Sequence, residues 1–297
     1  MLRRAERRAA EKWEVAGSDA GVDLVERSEE DEPGPAAAEF QVSNGKPALS
    51  IAQGNARVAG SELLEKSPSL KMSLAQQSRL VCVTDRESPT AEAIRLLGVR
   101  LRDLRQIRPL KTMLITSTIP QEGKSTISAN LACALAQASG EKVLLLEGDL
   151  RRPSLLQIFG TEATSGIADC VKDGGRKLAG IYRLEDAGCW ILPCGRAPGN
   201  PLELLQSDGL KALTERLTAL FDWIVIDSPP VLPLADTSIW MRMADGVLLV
   251  TREGTTQKRQ LEKGLEALDK HKLLGALVNG AVASEYSGYY DSPSIAS

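Results

Sequence analysis

The sequence predicts an α/β fold in which a mostly parallel sheet is covered by helices on both faces. Short apolar runs, such as residues 143–146 and 247–250, contain no polar alternation, which is typical of parallel strands buried on both sides. Longer segments with apolar residues at helical spacing lie between these runs. Strands that alternate with helices along the chain indicate parallel pairing, because each crossover needs a connecting helix.

The individual elements follow from the same patterns. The first predicted helix covers residues 92–105, and Ser88, Pro89 and Thr90 supply its start signal. The other predicted helices cover residues 125–138, 202–206, 210–220 and 257–270. The predicted strands cover residues 113–116, 143–146, 190–192, 223–226, 247–250 and 276–278.

The composition excludes several classes of protein. Of the 297 residues, 43% are hydrophobic and 25% charged, and the net charge of -3 gives no basic field for nucleic-acid binding. Five cysteines, an odd number, and a single histidine indicate neither a disulfide framework nor a Cys/His metal site. No apolar run approaches the roughly 18 residues of a membrane span, and no apolar segment of a signal peptide follows the basic start. We therefore expect a soluble intracellular protein whose contact with a membrane goes through a partner.

Composition changes sharply near residue 75. Residues 1–78 carry an acidic cluster at 26–32 and weak apolar periodicity, so we expect a low-complexity, largely disordered N-terminal region. Residues 79–283 contain all the predicted strands and form one folded domain. Residues 284–297 have too little apolar content to fold and are expected to form a flexible tail.

A loop with phosphate-binding features follows the first predicted strand. Residues 116–126 read Thr-Ser-Thr-Ile-Pro-Gln-Glu-Gly-Lys-Ser-Thr and lead into a predicted helix. Backbone N–H groups of such a P-loop and the helix N-terminus converge on phosphates. Lys124 is expected to reach the β- and γ-phosphate oxygens, and the Ser125 hydroxyl to coordinate Mg²⁺. The predicted nucleotide-binding residues are Thr118, where the usual pattern has its first glycine, and Gln121, Glu122, Gly123, Lys124, Ser125 and Thr126.

Acidic residues end two further predicted strands. Glu147 and Asp149 follow the strand 143–146 on one side, beside the P-loop strand, and Asp227 follows the strand 223–226. An acid at the end of a buried strand usually binds the Mg²⁺ of P-loop enzymes, either directly or through water. Since ligands of open α/β sheets lie outside the carboxyl ends of the strands, the three motifs predict a Mg–nucleotide site. Its metal candidates are Ser125, Asp227 and Asp149, and its catalytic candidates are Lys124, Asp149, Glu147 and Asp227.

The motifs together resemble the bacterial tyrosine kinases, or BY-kinases, of the CpsD/CapB type, which serve exopolysaccharide and capsule assembly. The P-loop, the acid-x-Asp-x-Arg strand end at 147–151, and the segments 195–201, 226–236 and 244–250 carry the likeness. The family lies in the wider MinD/ParA-like class of deviant P-loop ATPases. The resemblance covers roughly residues 80 to 290 and implies that residues 79–283 are a P-loop tyrosine kinase domain with ATPase activity, a non-specific protein-tyrosine kinase.

The resemblance also implies roles for single residues. ATP and Mg²⁺ are the implied cofactors, and Asp149 or Glu147 deprotonates the incoming tyrosine. Asn279, at the end of the last predicted strand, is a candidate for contacting adenine. Arg151 and Arg152 are assigned either to phosphate or tail binding or to a structural role at the sheet edge.

Three of the four tyrosines, Tyr286, Tyr289 and Tyr290, fall within the last dozen residues. Core packing does not explain tyrosines in such a tail, and by resemblance they are the phosphoacceptors of autophosphorylation in trans within a ring-like homo-oligomer. The further implied partners are a transmembrane polysaccharide chain-length regulator that activates the kinase and a cognate tyrosine phosphatase. The implied location is cytoplasmic, with peripheral attachment at the inner face of the membrane through that regulator.

Several positions depart from the family pattern and leave alternatives open. Glu147 stands where the family has Asp, Gln121 where it has Gly, and Gly98 at the second arginine of the Glu92-x-x-Arg95-x-x-Arg assembly motif. One alternative is a MinD/ParA-like positioning ATPase without kinase activity. The other is a nucleotide-gated interaction protein that does not catalyse.

Overall fold

The structure, a computed structural model, describes residues 64–75, 77–174, 178–232 and 235–281. Its strands are β1 (Ser69–Leu70), β2 (Thr112–Ser117), β3 (Val143–Glu147), β4 (Tyr182–Leu184), β5 (Cys189–Leu192), β6 (Trp223–Asp227), β7 (Gly246–Arg252) and β8 (Leu273–Asn279). Its helices are α1 (Val81–Thr84), α2 (Pro89–Ile107), α3 (Lys124–Ser139), α4 (Leu155–Ile158), α5 (Ile167–Lys172), α6 (Pro201–Leu205), α7 (Asp208–Leu220), α8 (Ala235–Met243) and α9 (Lys258–Glu266).

The eight strands form one sheet in the order β1-β4-β5-β3-β6-β2-β7-β8. In this spatial order, all neighbouring strands from β5 to β8 pair parallel. Strand β4 pairs antiparallel with β5, and β1 pairs parallel with β4. The P-loop strand β2 lies between β6 and β7. The predicted position of β3 beside the P-loop strand is wrong, because β6 lies between β3 and β2. The carboxyl ends of β2, β3 and β6 therefore meet at one edge of the sheet.

The core lies on both faces of the sheet because successive residues of each central strand point to opposite sides. In β3, Val143 and Leu145 join the cluster that contains α2 and α3, and Leu144 and Leu146 join the cluster that contains α7 and α8. Every residue of β3 is buried, which explains the uninterrupted apolar run in the sequence. The predicted α/β class with helices on both faces is confirmed.

All six predicted strands and all five predicted helices are present, with shifted ends. Helix α2 begins at Pro89, and Ser88 caps it by accepting a hydrogen bond from the N–H of Ala91 at 3.2 Å. Helix α9 ends at Glu266, four residues earlier than predicted. The sequence patterns missed β1, β4 and the helices α1, α4, α5 and α8. Strands of two or three residues and helices of four to nine are too short for a periodic signal.

The sheet begins before the predicted domain start at residue 79. Ser69 and Leu70 pair with β4, and Leu64 belongs to the buried core. Residues 1–63 and 282–297, which hold most of the predicted N-terminal region and the tyrosine tail, lie outside the described residues. In the described part of the chain, no helix has both the length and the apolar character needed to cross a membrane.

Candidate functional site

The P-loop connects β2 to α3, and its last residue has a backbone that only glycine suits. Gly123 is the N-cap of α3 with φ 93°, in the left-handed region. A Cβ atom there would lie 2.1 Å from Nδ2 of Asn279. No side chain caps α3, so the first N–H groups of a 16-residue helix stay available for an anion. This is the arrangement that binds phosphate at a helix N-terminus.

Lys124 lies at the centre of an acidic cluster. Its Nζ is 3.1 Å from Oδ2 of Asp149 and 3.9 Å from Oδ1 of Asp227, and it donates to Oγ of Ser125 at 3.2 Å. The side chains of Lys124, Asp149 and Asp227 are 12%, 6% and 1% exposed. The structure thus brings the lysine, both aspartates and the serine predicted from three separate motifs into one site.

Tight packing around Gly148 holds the two aspartates together. The N–H of Gly148 donates to the carbonyl of Asp227 at 2.7 Å, and its own carbonyl accepts from Nε1 of Trp240 on α8 at 3.0 Å. A Cβ at Gly148 would lie 2.9 Å from Trp240 and from Ile226. Sequence analysis missed both Gly148 and Trp240, because no local pattern shows that a helix 92 residues later closes over this turn.

Asp227 has the environment of a cation ligand. Burial raises the pKa of its carboxyl to about 6, against the opposing effects of Lys124 and a hydrogen bond from Ser125. Its Oδ2 is buried without a hydrogen-bond partner in the described part of the chain. A buried oxygen without a donor costs free energy unless another group satisfies it. A hydroxyl and carboxylates are oxygen donors of the kind that Mg²⁺ takes, so Ser125, Asp227 and Asp149 fit this ion.

The burial of Asp227 predicts a stability gain for Asp227→Asn in the absence of nucleotide and Mg²⁺. Because the folded pKa of about 6 lies above the ordinary aspartate value of 3.8, ionisation costs folding free energy, and this penalty is complete above pH 6. We expect the free energy of unfolding to rise by up to about 3 kcal/mol at pH 7.5. The gain should shrink toward zero as the pH falls to about 4, where the wild-type carboxyl is also neutral.

Urea unfolding of both proteins at pH 4.5 and 7.5 measures this difference. A variant less stable than wild type at pH 7.5, or a gain independent of pH, would contradict this explanation.

The contacts of Glu147 favour a structural role over the role of alternative catalytic base that the sequence predicts. It is 1% exposed, its Oε1 accepts from the N–H groups of Ser154 at 2.6 Å and Leu155 at 2.8 Å, and its Oε2 accepts from Cys194 N–H at 2.9 Å. Both oxygens are therefore committed to the backbone at the start of α4 and in the loop after β5. Of the two acids that end this strand, Asp149 alone contacts Lys124.

Gln121 adopts φ 69°, and it is the one non-glycine residue in the described part of the chain with a positive φ. Here the family has glycine, which enters this region without strain, whereas other residues pay roughly 1–2 kcal/mol. Since glycine also loses more entropy on folding, by roughly 0.5–1 kcal/mol, Gln121→Gly should raise the free energy of unfolding by up to about 1 kcal/mol. Thermal or urea unfolding measures this change in the free energy of unfolding. A decrease of more than about 1 kcal/mol would show that the side chain of Gln121 is needed for stability.

The other predicted P-loop residues divide into two groups. Thr118 and Glu122 are fully buried, and Oε2 of Glu122 accepts from the N–H of Ile119 at 2.8 Å while its other oxygen accepts from Thr256. Asn279 donates to the carbonyl of Glu122 at 2.9 Å. These contacts fix the shape of the loop. The predicted residues that line an open cavity beside it are Gln121, Gly123, Lys124, Ser125, Thr126 and Asn279.

Two cavities share Lys124 in their linings. The first, of about 720 Å³, extends from the N-terminus of α3 to Asn279 and is also lined by Arg252, which sequence analysis missed. The second, of about 490 Å³, lies on the side of Asp149. Gln121 and Lys124 line both cavities. Among the described residues, Lys124 is therefore the one cation that lines both cavities.

An ion pair fixes the loop after β3 at the rim of the second cavity. Nε of Arg151 lies 2.7 Å from Oδ2 of Asp236, and its Nη2 donates to Oδ1 at 3.1 Å. Asp236 is 1% exposed and lies in the first turn of α8. Of the two alternatives that the sequence leaves for Arg151, these contacts favour the structural one.

Comparisons with known proteins agree with this geometry. Residues 112–280 match the family model of the cellulose biosynthesis protein BcsQ. The chain is 37% identical over 218 residues to tyrosine-protein kinase YwqD of Bacillus subtilis (strain 168), a match that covers 72% of this chain and 92% of that protein. It is 32% identical to the putative tyrosine-protein kinase CapB of Staphylococcus aureus, over 61% of this chain and 80% of CapB.

Among solved structures, the crystal structure of the chimerical protein CapA2B2 superposes with a TM-score of 0.64 and 28% identity, over 75% of this chain and 97% of that one. Two findings point to the same group of proteins. The chain has a P-loop with aspartates beside it on a sheet that it shares with this solved structure, and it matches its kinase relatives over most of their length. The chain belongs to the bacterial tyrosine-protein kinases, the family that its motifs resemble.

Proposed function

We propose that this protein is an ATP- and Mg²⁺-dependent autokinase that phosphorylates its own C-terminal tyrosine cluster in trans. The observation that carries this proposal is the position of Lys124, on the wall between two cavities and 3.1 Å from Asp149. The first cavity takes the nucleotide, whose phosphates bind the free N–H groups at the start of α3. The second takes the acceptor tyrosine, whose hydroxyl meets Asp149.

In the transfer, the tyrosine oxygen attacks the γ-phosphorus from the second cavity. The bond between that phosphorus and the oxygen bridging to the β-phosphate breaks, ADP leaves, and the phenolic proton passes to Asp149. Because the phenol has a pKa near 10, its proton need move only as the new bond forms. Lys124 stabilises negative charge on the transferred group, and its contact with both aspartates holds it in place beforehand.

Ser125, Asp227 and Asp149 are the residues that would hold Mg²⁺ in this site. When bound, it neutralises charge on the phosphate oxygens. The residues of the chain prepare this site. Ser128 donates to Oδ1 of Asp227 at 3.4 Å, which leaves Oδ2 for the ion or for one of its waters.

The proposed acceptors are Tyr286, Tyr289 and Tyr290, which lie outside the described residues. Asn279 ends β8 beside the nucleotide cavity, and only six residues lie between it and Tyr286. Transfer to a neighbouring copy is the form of autophosphorylation that the family resemblance implies. Each phosphotyrosine adds about -1.5 to -2 charges, and repulsion between such tails provides a physical reason for an assembly to dissociate.

We further propose a role in capsule or exopolysaccharide polymerisation and export. The support comes from relatives named for such systems and from the chimera CapA2B2, which indicates a partner chain. The proposed partners are a transmembrane chain-length regulator that activates the kinase at the inner face of the membrane, a cognate tyrosine phosphatase, and other copies of this chain in a ring.

Phosphosite mapping tests the proposal. The purified full chain is incubated with Mg-ATP, and mass spectrometry locates phosphate; we expect it on Tyr286, Tyr289 and Tyr290. ATP turnover with unmodified tyrosines would instead support a positioning ATPase. Nucleotide binding without turnover would support a nucleotide-gated interaction protein.

A further inference from the structure

The second cavity has an arginine at its mouth that is not used within the described part of the protein. We propose that Arg152 forms a subsite for a carboxylate beside the acceptor tyrosine, so that an acidic neighbour determines acceptor specificity. The inference rests on the proposed function in placing the acceptor in this cavity. It adds a recognition element that lies outside the P-loop and the strand-terminal acids.

The lining of the cavity suits a tyrosine. Its polar end carries Lys124 and Asp149, and Pro120, Pro230 and Leu232 supply apolar walls. A phenol ring has the same division, with an apolar body and a polar tip. A ring that rests against the prolines and the leucine therefore directs its hydroxyl toward Asp149.

The two consecutive arginines differ in what they bind. Arg151 is committed to both carboxylate oxygens of the buried Asp236. The side chain of Arg152 is exposed and pairs with no other residue that the structure describes. At this rim, Arg151 is therefore part of a structural ion pair, whereas the Arg152 guanidinium is available to bind a ligand.

The backbone places Arg152 next to the reacting group. Its N–H donates to Oδ1 of Asp149 at 3.0 Å, while Oδ2 of the same carboxylate contacts Lys124 at 3.1 Å. A tyrosine whose hydroxyl reaches Asp149 therefore brings its neighbouring residues within range of the Arg152 side chain. A guanidinium binds carboxylates with two parallel hydrogen bonds, which makes arginine the cation suited to this recognition.

The tyrosine cluster of the chain carries the matching charges. Glu285 directly precedes Tyr286, and Asp291 directly follows Tyr290. No lysine or arginine lies in residues 284–297. The tail thus presents carboxylates, and no competing cation, to a rim where one arginine is available.

Peptide binding tests the inference separately from catalysis. Peptides with the sequence of residues 281–288 carry Glu, Gln or Arg at the position of Glu285, and anisotropy measures their affinity for the full chain with Tyr286, Tyr289 and Tyr290 replaced by Phe. We expect the Glu peptide to bind about fivefold more tightly than the Gln peptide, as for a partly exposed ion pair. In Arg152→Glu the order should reverse, with the Arg peptide binding most tightly.

Arg259→Glu, an equal charge change on the exposed face of α9, is the matched control and should keep the wild-type order. An unchanged order in Arg152→Glu would overturn the inference. A further Gln peptide carries phosphotyrosine at the position of Tyr286. If Arg152→Glu lowered the affinity for this peptide alone, the inference would also be overturned, since Arg152 would then bind the product phosphate. A phosphorylation assay with Mg-ATP and the same peptides follows. No transfer to any peptide, with the binding order intact, would overturn the proposed kinase function and leave the carboxylate subsite standing.

Discussion

Lys124→Met is expected to abolish tyrosine phosphorylation, with a loss of at least about 10³-fold in rate. Of the described cations, Lys124 alone lines both cavities. Removal of one preorganised group that stabilises transition-state charge lowers kcat by roughly 10²–10³-fold in enzymes in general. The loss also leaves Asp149 and Asp227 without their shared cation, which weakens nucleotide phosphate binding further. The initial rate of phosphotyrosine formation at saturating Mg-ATP measures the effect.

Two further variants separate this chemistry from folding. Lys124→Arg keeps a positive charge opposite the aspartates and should preserve the fold while losing most activity, because a guanidinium does not reproduce the point charge of an ammonium group. Lys258→Met, on the exposed surface of α9, should have wild-type activity. Phosphorylation by Lys124→Met at more than a tenth of the wild-type rate would contradict the assignment.

Asp149→Asn is expected to lower kcat by about 10²-fold, as for the loss of a general base, with a much smaller change in nucleotide affinity. The reason is geometric, since Asp149 lines the second cavity and not the first. The amide keeps the size of the side chain and a hydrogen-bond acceptor for the N–H of Arg152. Steady-state kinetics with varied ATP, together with direct nucleotide titration, separate the two effects.

Asp103→Asn, an exposed position on α2, is the matched control for this variant and should leave kcat unchanged. If Asp149→Asn weakened nucleotide binding as strongly as it lowered kcat, Asp149 would act mainly through Mg²⁺. If Glu147→Gln were the variant that lost activity without losing stability, the assignment of the base would move to Glu147.

The sequence was sufficient for those parts of the site that depend on local order. Lys124 and Ser125 begin the helix that follows the buried strand β2. Asp227 ends the buried strand β6, and Asp149 lies two residues beyond the end of β3. In a parallel sheet these positions share one edge whatever the loops do. The central strands carry a strong signal for the same reason, because they are buried on both faces.

The features that the sequence did not predict depend on contacts between distant segments. The contacts that favour a structural role for Glu147 are hydrogen bonds from the turn before α4 and from the loop after β5. Arg151 is paired with Asp236, 85 residues away, and nothing in the local sequence distinguishes it from Arg152. A local sequence pattern predicts which residue types lie at an edge of the sheet. The partners that their side chains bind depend on the path of the loops.

Transfer between two copies of the chain is the most direct test of the autokinase account. One protein carries Lys124→Met and intact tyrosines, and the other carries Lys124 with Tyr286, Tyr289 and Tyr290 replaced by Phe. After incubation of the mixture with Mg-ATP, mass spectrometry distinguishes the two chains and locates phosphate. We predict phosphotyrosine at Tyr286, Tyr289 and Tyr290 of the Lys124→Met chain, in the mixture and not in that protein alone. ATP turnover by the mixture with no phosphate on those tyrosines would contradict the account.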